Sequence, residues 1–390
     1  MGLEQLNKNA MSNKVHIALL GQQTMPVYLG ILNSDADEFI IVHSKQTEEL
    51  ANRMQNEIRN YKSGVCSFQN REFPAVDYTA VYDEAKSMVD AEDKEFEVNL
   101  SGGTKTWAIA FTQLSGIKNN VSIWYIDQNC IRYDCVSGEK VQLELPCGIK
   151  ELLAYNNQYS CRKTQFSEYT SEDLKACNTI ESAWSFNQIA FNSVTLITKD
   201  KQQLFNPDVG TVTHNSAKGD ALMSWDKVYG AVEIVLPSWS GKKTKVFNVN
   251  APHAFHLATN AGWLECKVAD ILNKWTRTKE IWMNVIFPYK SEESKNEIDI
   301  ILSAEGKLLF VECKIKVFER TDIDKFSSAV RNYGGMGSKA IFVSYDRIDP
   351  KVKEKCETNG IMYFSLERGR APVEQLYEYL ESNLANMNTR

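Results

Sequence analysis

The chain has 390 residues, of which 43% are hydrophobic and 24% charged, and it carries a formal net charge of -6. That is enough apolar material for two ordinary hydrophobic cores, while the acidic balance excludes indiscriminate binding of nucleic acid over the whole surface, so any such contact has to be local. No apolar run approaches membrane-span length and no charged start followed by an apolar stretch marks secretion, which predicts a cytoplasmic protein.

Residues 1–13 are polar and read as a disordered tail, with Met11 an alternative start. The run Val15 to Leu20 then reads as a strand entering the loop Gly21-Gln22-Gln23-Thr24-Met25-Pro26. Glu38 to His43 enters Ser44-Lys45-Gln46-Thr47 before a helical stretch from Glu48 to Asn60, and Phe96 to Leu100 enters Ser101-Gly102-Gly103-Thr104-Lys105 before another helical pattern. Three strand, polar loop, helix units before residue 115 predict a parallel sheet with helices on both faces, an arrangement that gathers its loops, and its ligands, outside the carboxyl ends of the strands.

The Ser101 to Lys105 loop has two readings. Its glycines let backbone approach a ligand, the following helix offers free amides and a positive dipole end, and Thr104 and Lys105 add a hydroxyl and a cation, so a phosphate-rich guest suits it. A plain structural turn is the other. The spacing is neither a Walker loop nor a dinucleotide fingerprint.

The stretch from Gly148 to Asp173 is mixed polar and aromatic, least patterned from Tyr155 to Tyr159, and it separates an N-terminal domain over 14–150 from a C-terminal domain over 181–390, with 151–180 as the linker. Phe205 to Asp226, rich in Gly, Asn, Ser and Asp, reads as a surface loop. Lys242, Lys243 and Lys245 fall in a turn between strand-like Tyr229 to Leu236 and Val246 to Val249.

From Ala261 to Trp275 the apolar residues Leu264, Val268, Ile271, Leu272 and Trp275 recur at helical spacing. Winding them places Glu265 at the edge of the buried stripe, either half-shielded or on a solvated flank. Next come two segments rich in Ile, Leu, Val and Phe around Glu305-Gly306, a hairpin signal. Asp299 lies on the first strand, and Glu312 and Lys314, two apart, share one face of the second. Carboxylates on paired strands can grip a divalent cation, and the ammonium can hold a phosphate or orient water. An exposed hairpin with a charged solvent face is the competing reading. A polar and basic stretch from Lys316 to Tyr333, the Gly334-Gly335-Met336-Gly337 run and strand-like Lys339 to Tyr345 complete a compact α/β unit.

Asp299, Glu312 and Lys314 resemble the PD-(D/E)xK nuclease signature without its usual proline, and Glu265 matches the acid that a preceding helix offers in that superfamily. Together and in order, the Gly21 to Pro26 loop, the Ser101 to Lys105 loop and the Gly-Trp-Leu-Glu, Glu-Ile-Asp and Glu-Cys-Lys segments resemble the CARF-domain nucleases of type III CRISPR systems, ancillary effectors of antiviral defence, from about residue 12 to 350. The resemblance implies an α/β protein with a Rossmann-like CARF domain followed by a restriction-endonuclease-like domain. It implies that the first binds a cyclic oligoadenylate, cyclic tetra-adenylate, across a homodimer through Gln22, Gln23, Thr24, Met25, Ser44, Lys45, Ser101, Gly102, Gly103, Thr104 and Lys105. The second would then hydrolyse phosphodiester bonds of DNA or RNA with Mn2+ or Mg2+ on Asp299, Glu312 and Glu265, with Lys314 stabilising charge. A ligand-responsive regulator that binds nucleic acid without cutting it is the alternative. A restriction-type nuclease without ligand control fits the three converging loops poorly.

Further cations, Lys267, Lys274, Arg277, Lys279, Lys316, Arg320, Lys325 and Arg331, flank the acidic segments, and Trp239, Trp263, Trp275, Trp282 and Tyr289 are either core residues or base-stacking platforms. Nine cysteines, among them Cys66, Cys147 and Cys313, form no Cys-x-x-Cys pair and read as reduced thiols. His253 and His256 have helical ligand spacing but no partner at zinc-site spacing, and His16 and His43 sit in apolar runs as core residues.

Overall fold

Apolar runs that alternate with polar loops bury themselves by stacking side by side, and the first third of the chain does so as a sheet. The computed structural model describes residues 13–62, 67–127, 129–145, 148–156, 158, 161–288, 294–315, 320–335 and 337–385. The tail to residue 12, Cys66, Cys147, Asn157, Tyr159, Tyr289, Lys316, Met336 and the side chain of Arg320 lie outside the described residues. Two units form: one from Met1–Pro146 with Lys150–Tyr159 and Tyr333–Gly337, the other from Cys147–Ile149, Ser160–Asn332 and Ser338–Arg390.

In the first unit the order is β1 (Lys14–Leu19), α1 (Met25–Leu32), β2 (Glu38–His43), α2 (Glu48–Tyr61), β3 (Ser67–Glu72), α3 (Tyr78–Met88), β4 (Glu95–Asn99), α4 (Lys105–Ser115), β5 (Val121–Ile126), β6 (Ile131–Asp134), β7 (Lys140–Gln142) and α5 (Ile149–Tyr155). The strands lie in the order β3-β2-β1-β4-β5-β6-β7, the first five parallel and the last two joined antiparallel. Because β1 pairs with β2 on one side and β4 on the other, the direction of sheet growth reverses between β1 and β4. The side chains alternate as a pleat demands: Val15, Ile17 and Leu19 join Phe96 and Val98 in one core, and His16 and Glu97 are buried on the opposite face. The expected three strand-helix units are a subset, because β3 and α3 form a further one.

The second unit runs β8 (Arg162–Gln165), α6 (Ser171–Phe186), α7 (Gln188–Thr195), β9 (Val209–His214), β10 (Ala221–Asp226), β11 (Ala231–Pro237), β12 (Thr244–Asn250), α8 (Ala254–Ala258), α9 (Gly262–Asn273), β13 (Thr278–Pro288), β14 (Ser294–Ala304), β15 (Lys307–Lys314), α10 (Arg320–Tyr333), β16 (Lys339–Ser344), α11 (Pro350–Thr358), β17 (Met362–Ser365) and α12 (Val373–Ala385). It holds a six-stranded sheet, β17-β16-β15-β14-β13-β8, and a four-stranded antiparallel sheet, β12-β11-β10-β9. One core serves both, with Trp225 and Ile234 from the small sheet, Met283 and Val311 from the large one, and Trp184 and Trp263 from α6 and α9.

Two expectations need revision. Phe205 to Asp226 is not a surface loop: it contains β9 and β10, and the alternation of buried Ala221, Met223 and Trp225 with half-buried Leu222, Ser224 and Asp226 is the period of a one-sided strand. Residues 151–180, read as a linker, hold most of α5, all of β8 and the first turns of α6. The α5 end belongs to the first unit, where the Thr24 hydroxyl donates to the Tyr155 carbonyl and Tyr155 stacks on Tyr28 with ring centroids 4.5 Å apart.

Candidate functional site

The acidic constellation is built on three neighbouring elements. β14 and β15 pair antiparallel about the Glu305-Gly306 turn, where both residues take positive φ, and the register Ile300 to Val311, carried one residue further, sets Asp299 across from Glu312. The Cys313 N–H donates to Asp299 Oδ2 at 2.7 Å, which pins that carboxylate against the partner strand. On the next position of the same face, Lys314 Nζ meets Glu312 Oε1 at 2.7 Å. Glu265 arrives on α9, whose depth is set by fully buried Trp263, packed edge-on to Tyr345 at 5.0 Å. Gly262 starts that helix because a Cβ there would stand 2.4 Å from the His256 carbonyl oxygen.

The electrostatics are those of crowded acids in a poorly solvated place. Burial, then the charges of Asp299 and Glu297, push the Glu265 carboxyl well above the usual range. Burial followed by repulsion from Asp299 raises Glu312 to about 7, against the opposing pull of Lys314. Burial also raises Asp299, although Lys314 and the Cys313 amide hold it back. For Lys314 burial alone would lower the ammonium, but Asp299 and Glu312 outweigh it and keep the group firmly charged. A divalent cation relieves this excess of negative charge, and the donor set, three carboxylates and no sulfur, suits a hard oxygen-seeking ion. Among the described residues no three such groups already stand close enough to enclose an ion. Glu297 was not singled out in the sequence. It stands two residues before Asp299 on β14, the same-face period, and its charge acts on both Glu265 and Asp299.

The second constellation sits where sheet growth reverses. The loops after β1 and β4 touch: a Cβ on Gly21 would lie 2.9 Å from the Gly103 nitrogen, and one on Gly102 would lie 2.2 Å from the Leu19 carbonyl oxygen. Gly103 has φ +73°, a conformation that side chains resist. Asn99, fully buried at the end of β4, ties the two loops by donating to the Pro26 carbonyl and accepting from the Ser101 N–H, both at 3.0 Å. Thr104 caps α4, accepting from the Trp107 N–H at 3.3 Å, and leaves Lys105 exposed on the first turn. Residues 15–151 match the family model of the Card1 CARF domain, and residues 254–361 that of the Card1-like endonuclease domain.

The chain joins a Card1-type CARF domain to a Card1-like endonuclease domain. Its fold is similar to Can2 from Sulfobacillus thermosulfidooxidans, solved in complex with cyclic tetra-adenylate, with a TM-score of 0.64 at 19% identity over 95% of this chain and 99% of that one. Protein VC1899 from Vibrio cholerae gives 0.65 at 14% identity with the same two coverages. A type III CRISPR defence DNA nuclease activated by cyclic oligoadenylate gives 0.53 at 16% identity, and there this chain spans 52% of the other's length. At these identities the likeness is one of fold. No curated protein matches the chain significantly.

Within the CARF domain the candidate ligand residues divide by exposure. Gln22, Gln23, Lys45 and Lys105 are exposed, and Ser44 and Ser101 to Thr104 half-buried. Thr24 and Met25 are buried, the first on the Tyr155 carbonyl and the second in the core. Ser44 caps the turn before α2 with Thr47, and the Ser101 hydroxyl oxygen accepts from the Ile126 N–H at 2.6 Å. Asn99 escaped the sequence reading, although a lone amide closing an apolar strand was a signal. In the second unit His253 is held by buried Asp173, 3.1 Å from Nδ1, and His256 bonds Asn284. His16 and His43 are buried, and the seven described cysteines form no disulfide. Among the described residues no helix is long and apolar enough to cross a membrane.

Proposed function

We propose that the protein is a nuclease of CRISPR antiviral defence, switched on when a cyclic oligoadenylate, cyclic tetra-adenylate foremost, binds the CARF loops. Enzymatic cleavage follows from the endonuclease domain itself. The observation that carries the reading is the β14–β15 hairpin, which pins Asp299 on the Cys313 amide and Glu312 on Lys314, both at 2.7 Å, with burial and mutual repulsion raising the proton affinity of Asp299, Glu312 and Glu265.

A divalent ion, Mn2+ or Mg2+, would be held by Asp299, Glu312 and Glu265, and when bound it supplies an activated water and charge neutralisation at the phosphate. The remaining work belongs to the chain. Glu312 holds Lys314 in place through their 2.7 Å contact, and the ammonium stabilises the negative charge that grows on the phosphoryl oxygens in the transition state. The half-buried site limits water, which strengthens that interaction. In the CARF domain, exposed Gln22, Gln23, Lys45 and Lys105 present donors to the ring, with the amides of the Gly102-Gly103 turn and the α4 N-terminus behind them. A ring with an even number of identical units has a two-fold axis, so the ligand suits a homodimer in which each chain contacts half of it.

The test is incubation of labelled single- and double-stranded DNA and RNA with manganese or magnesium, with and without cyclic oligoadenylates of different ring size. Cleavage confined to reactions that hold both metal and ring supports the reading. Cleavage indifferent to every ring would remove the switch, and none with any substrate would remove the activity.

A further inference from the structure

Neither family match covers residues 152–253, which contain the β9–β12 sheet. At one end of that sheet two turns lie against each other. A Cβ on Gly241 would stand 2.7 Å from the Lys218 carbonyl oxygen, and Gly241 has φ +71°, so glycine is what lets them approach. Each turn is closed on itself, with Gly219 N–H donating to the Ser216 carbonyl at 3.0 Å and Ser238 N–H to the Lys243 carbonyl at 2.7 Å. The pair gathers Lys218, Lys242, Lys243 and, at the start of β12, Lys245, all exposed, with Trp239 beside them at 49% exposure.

Among the described residues none of the four lysines forms an ion pair, and Lys245 lies instead over the Phe247 ring at 4.7 Å. Three of the cations beside the acidic segments differ: Lys267 meets Glu181, Lys274 meets Asp270 and Arg277 meets Glu381. Asp220 is the acid within the two turns. Four exposed lysines and a half-exposed indole carried on two touching turns, on a chain of net charge -6, offer a local surface for a polyanion with a stacking platform.

We infer that this end of the sheet is a docking surface for single-stranded nucleic acid, built from residues other than the hydrolytic ones. The lysines take successive phosphates and Trp239 takes the face of an unstacked base, which a duplex does not offer. The inference rests on the nuclease reading for its biological sense, but its test needs no cleavage.

Fluorescence anisotropy of the metal-free full-length protein with labelled oligothymidylate, and with a duplex of equal length, across a salt series decides it. The Lys218→Ala, Lys242→Ala, Lys243→Ala triple variant is expected to flatten the slope of log affinity against log salt by about 2, at roughly 0.7 per phosphate contact. Trp239→Ala is expected to weaken single-strand binding by about fivefold or more and to leave duplex binding unchanged. An unchanged salt slope in the triple variant overturns the surface, and an equal loss on duplex overturns the single-strand assignment. Where the triple variant fails to fold, Lys242→Glu on an exposed side chain makes the same comparison, with a slope change of about 0.7 or more expected. A wild-type protein that cuts nothing would sink the nuclease reading yet leave this comparison intact.

Discussion

In the proposed site Glu312 would tie stability to chemistry through one side chain. Its carboxyl is raised from the ordinary 4.5 to about 7, first by burial and then by Asp299. Between those values the folded state keeps a proton that the unfolded chain has released, so the metal-free protein loses stability as pH rises through this window and does not regain it above 7. Melting temperature should fall from pH 5 to pH 7.5 more steeply for the wild type than for Glu312→Gln, followed by differential scanning calorimetry in chelator. Manganese should raise the neutral-pH melting temperature by binding only the folded state, and Glu312→Ala should erase that rise together with cleavage. Lys314→Ala should keep the metal-induced rise but lose turnover by on the order of 10²–10³, the usual worth of a charge-stabilising donor. A lost metal response in that variant would assign Lys314 a different role.

At the level of elements, the loops after β1 and β4 meet through glycine backbone, so ligand affinity should depend on residues that carry no side chain to offer. Gly102→Ala would place a Cβ 2.2 Å from the Leu19 carbonyl oxygen, and the strand end or the loop must shift. Expected are a lower melting temperature and weaker binding of cyclic tetra-adenylate, both read by calorimetry. Lys105→Ala changes an exposed side chain on the first turn of α4 and should weaken binding with stability unaltered, by about 1.5–3 kcal/mol for a lost charge-assisted contact. A titration midpoint that stays put would leave the loop a structural turn.

For the whole molecule the prediction is stoichiometry. If each chain contacts half of a two-fold ring, the ratio is one ring per two chains, and the ring protects the dimer against dilution. Sedimentation velocity with and without cyclic tetra-adenylate, beside a binding titration, checks both. A monomer that binds one ring and still cuts would overturn the arrangement.

Several features were legible in the sequence because they are local. The hairpin was written in two apolar runs around Glu305-Gly306, and period two put Glu312 and Lys314 on one face. Helical spacing alone placed Glu265 at the rim of the α9 stripe, where it is half-buried. Strand, loop and helix alternation located the polar loops after β1, β2 and β4. Other features depend on partners far along the chain. The edge strand β3, Ser-Phe-Gln-Asn-Arg-Glu, has Phe68 as its one apolar residue and is a strand by virtue of its pairing with β2, and β9 and β10 hid in a Gly- and Asn-rich stretch because only one face of their sheet meets the core. Residues of the expected linker form part of α5, all of β8 and part of α6, and β8 is a strand through its pairing with distant β13. Glu297, Asn99 and the lysine-tryptophan turns likewise took on meaning only when tertiary folding brought like charges, two loops or two turns together. A sequence specifies local period and composition, whereas charge coupling and close backbone approach exist only between residues that the fold has made neighbours.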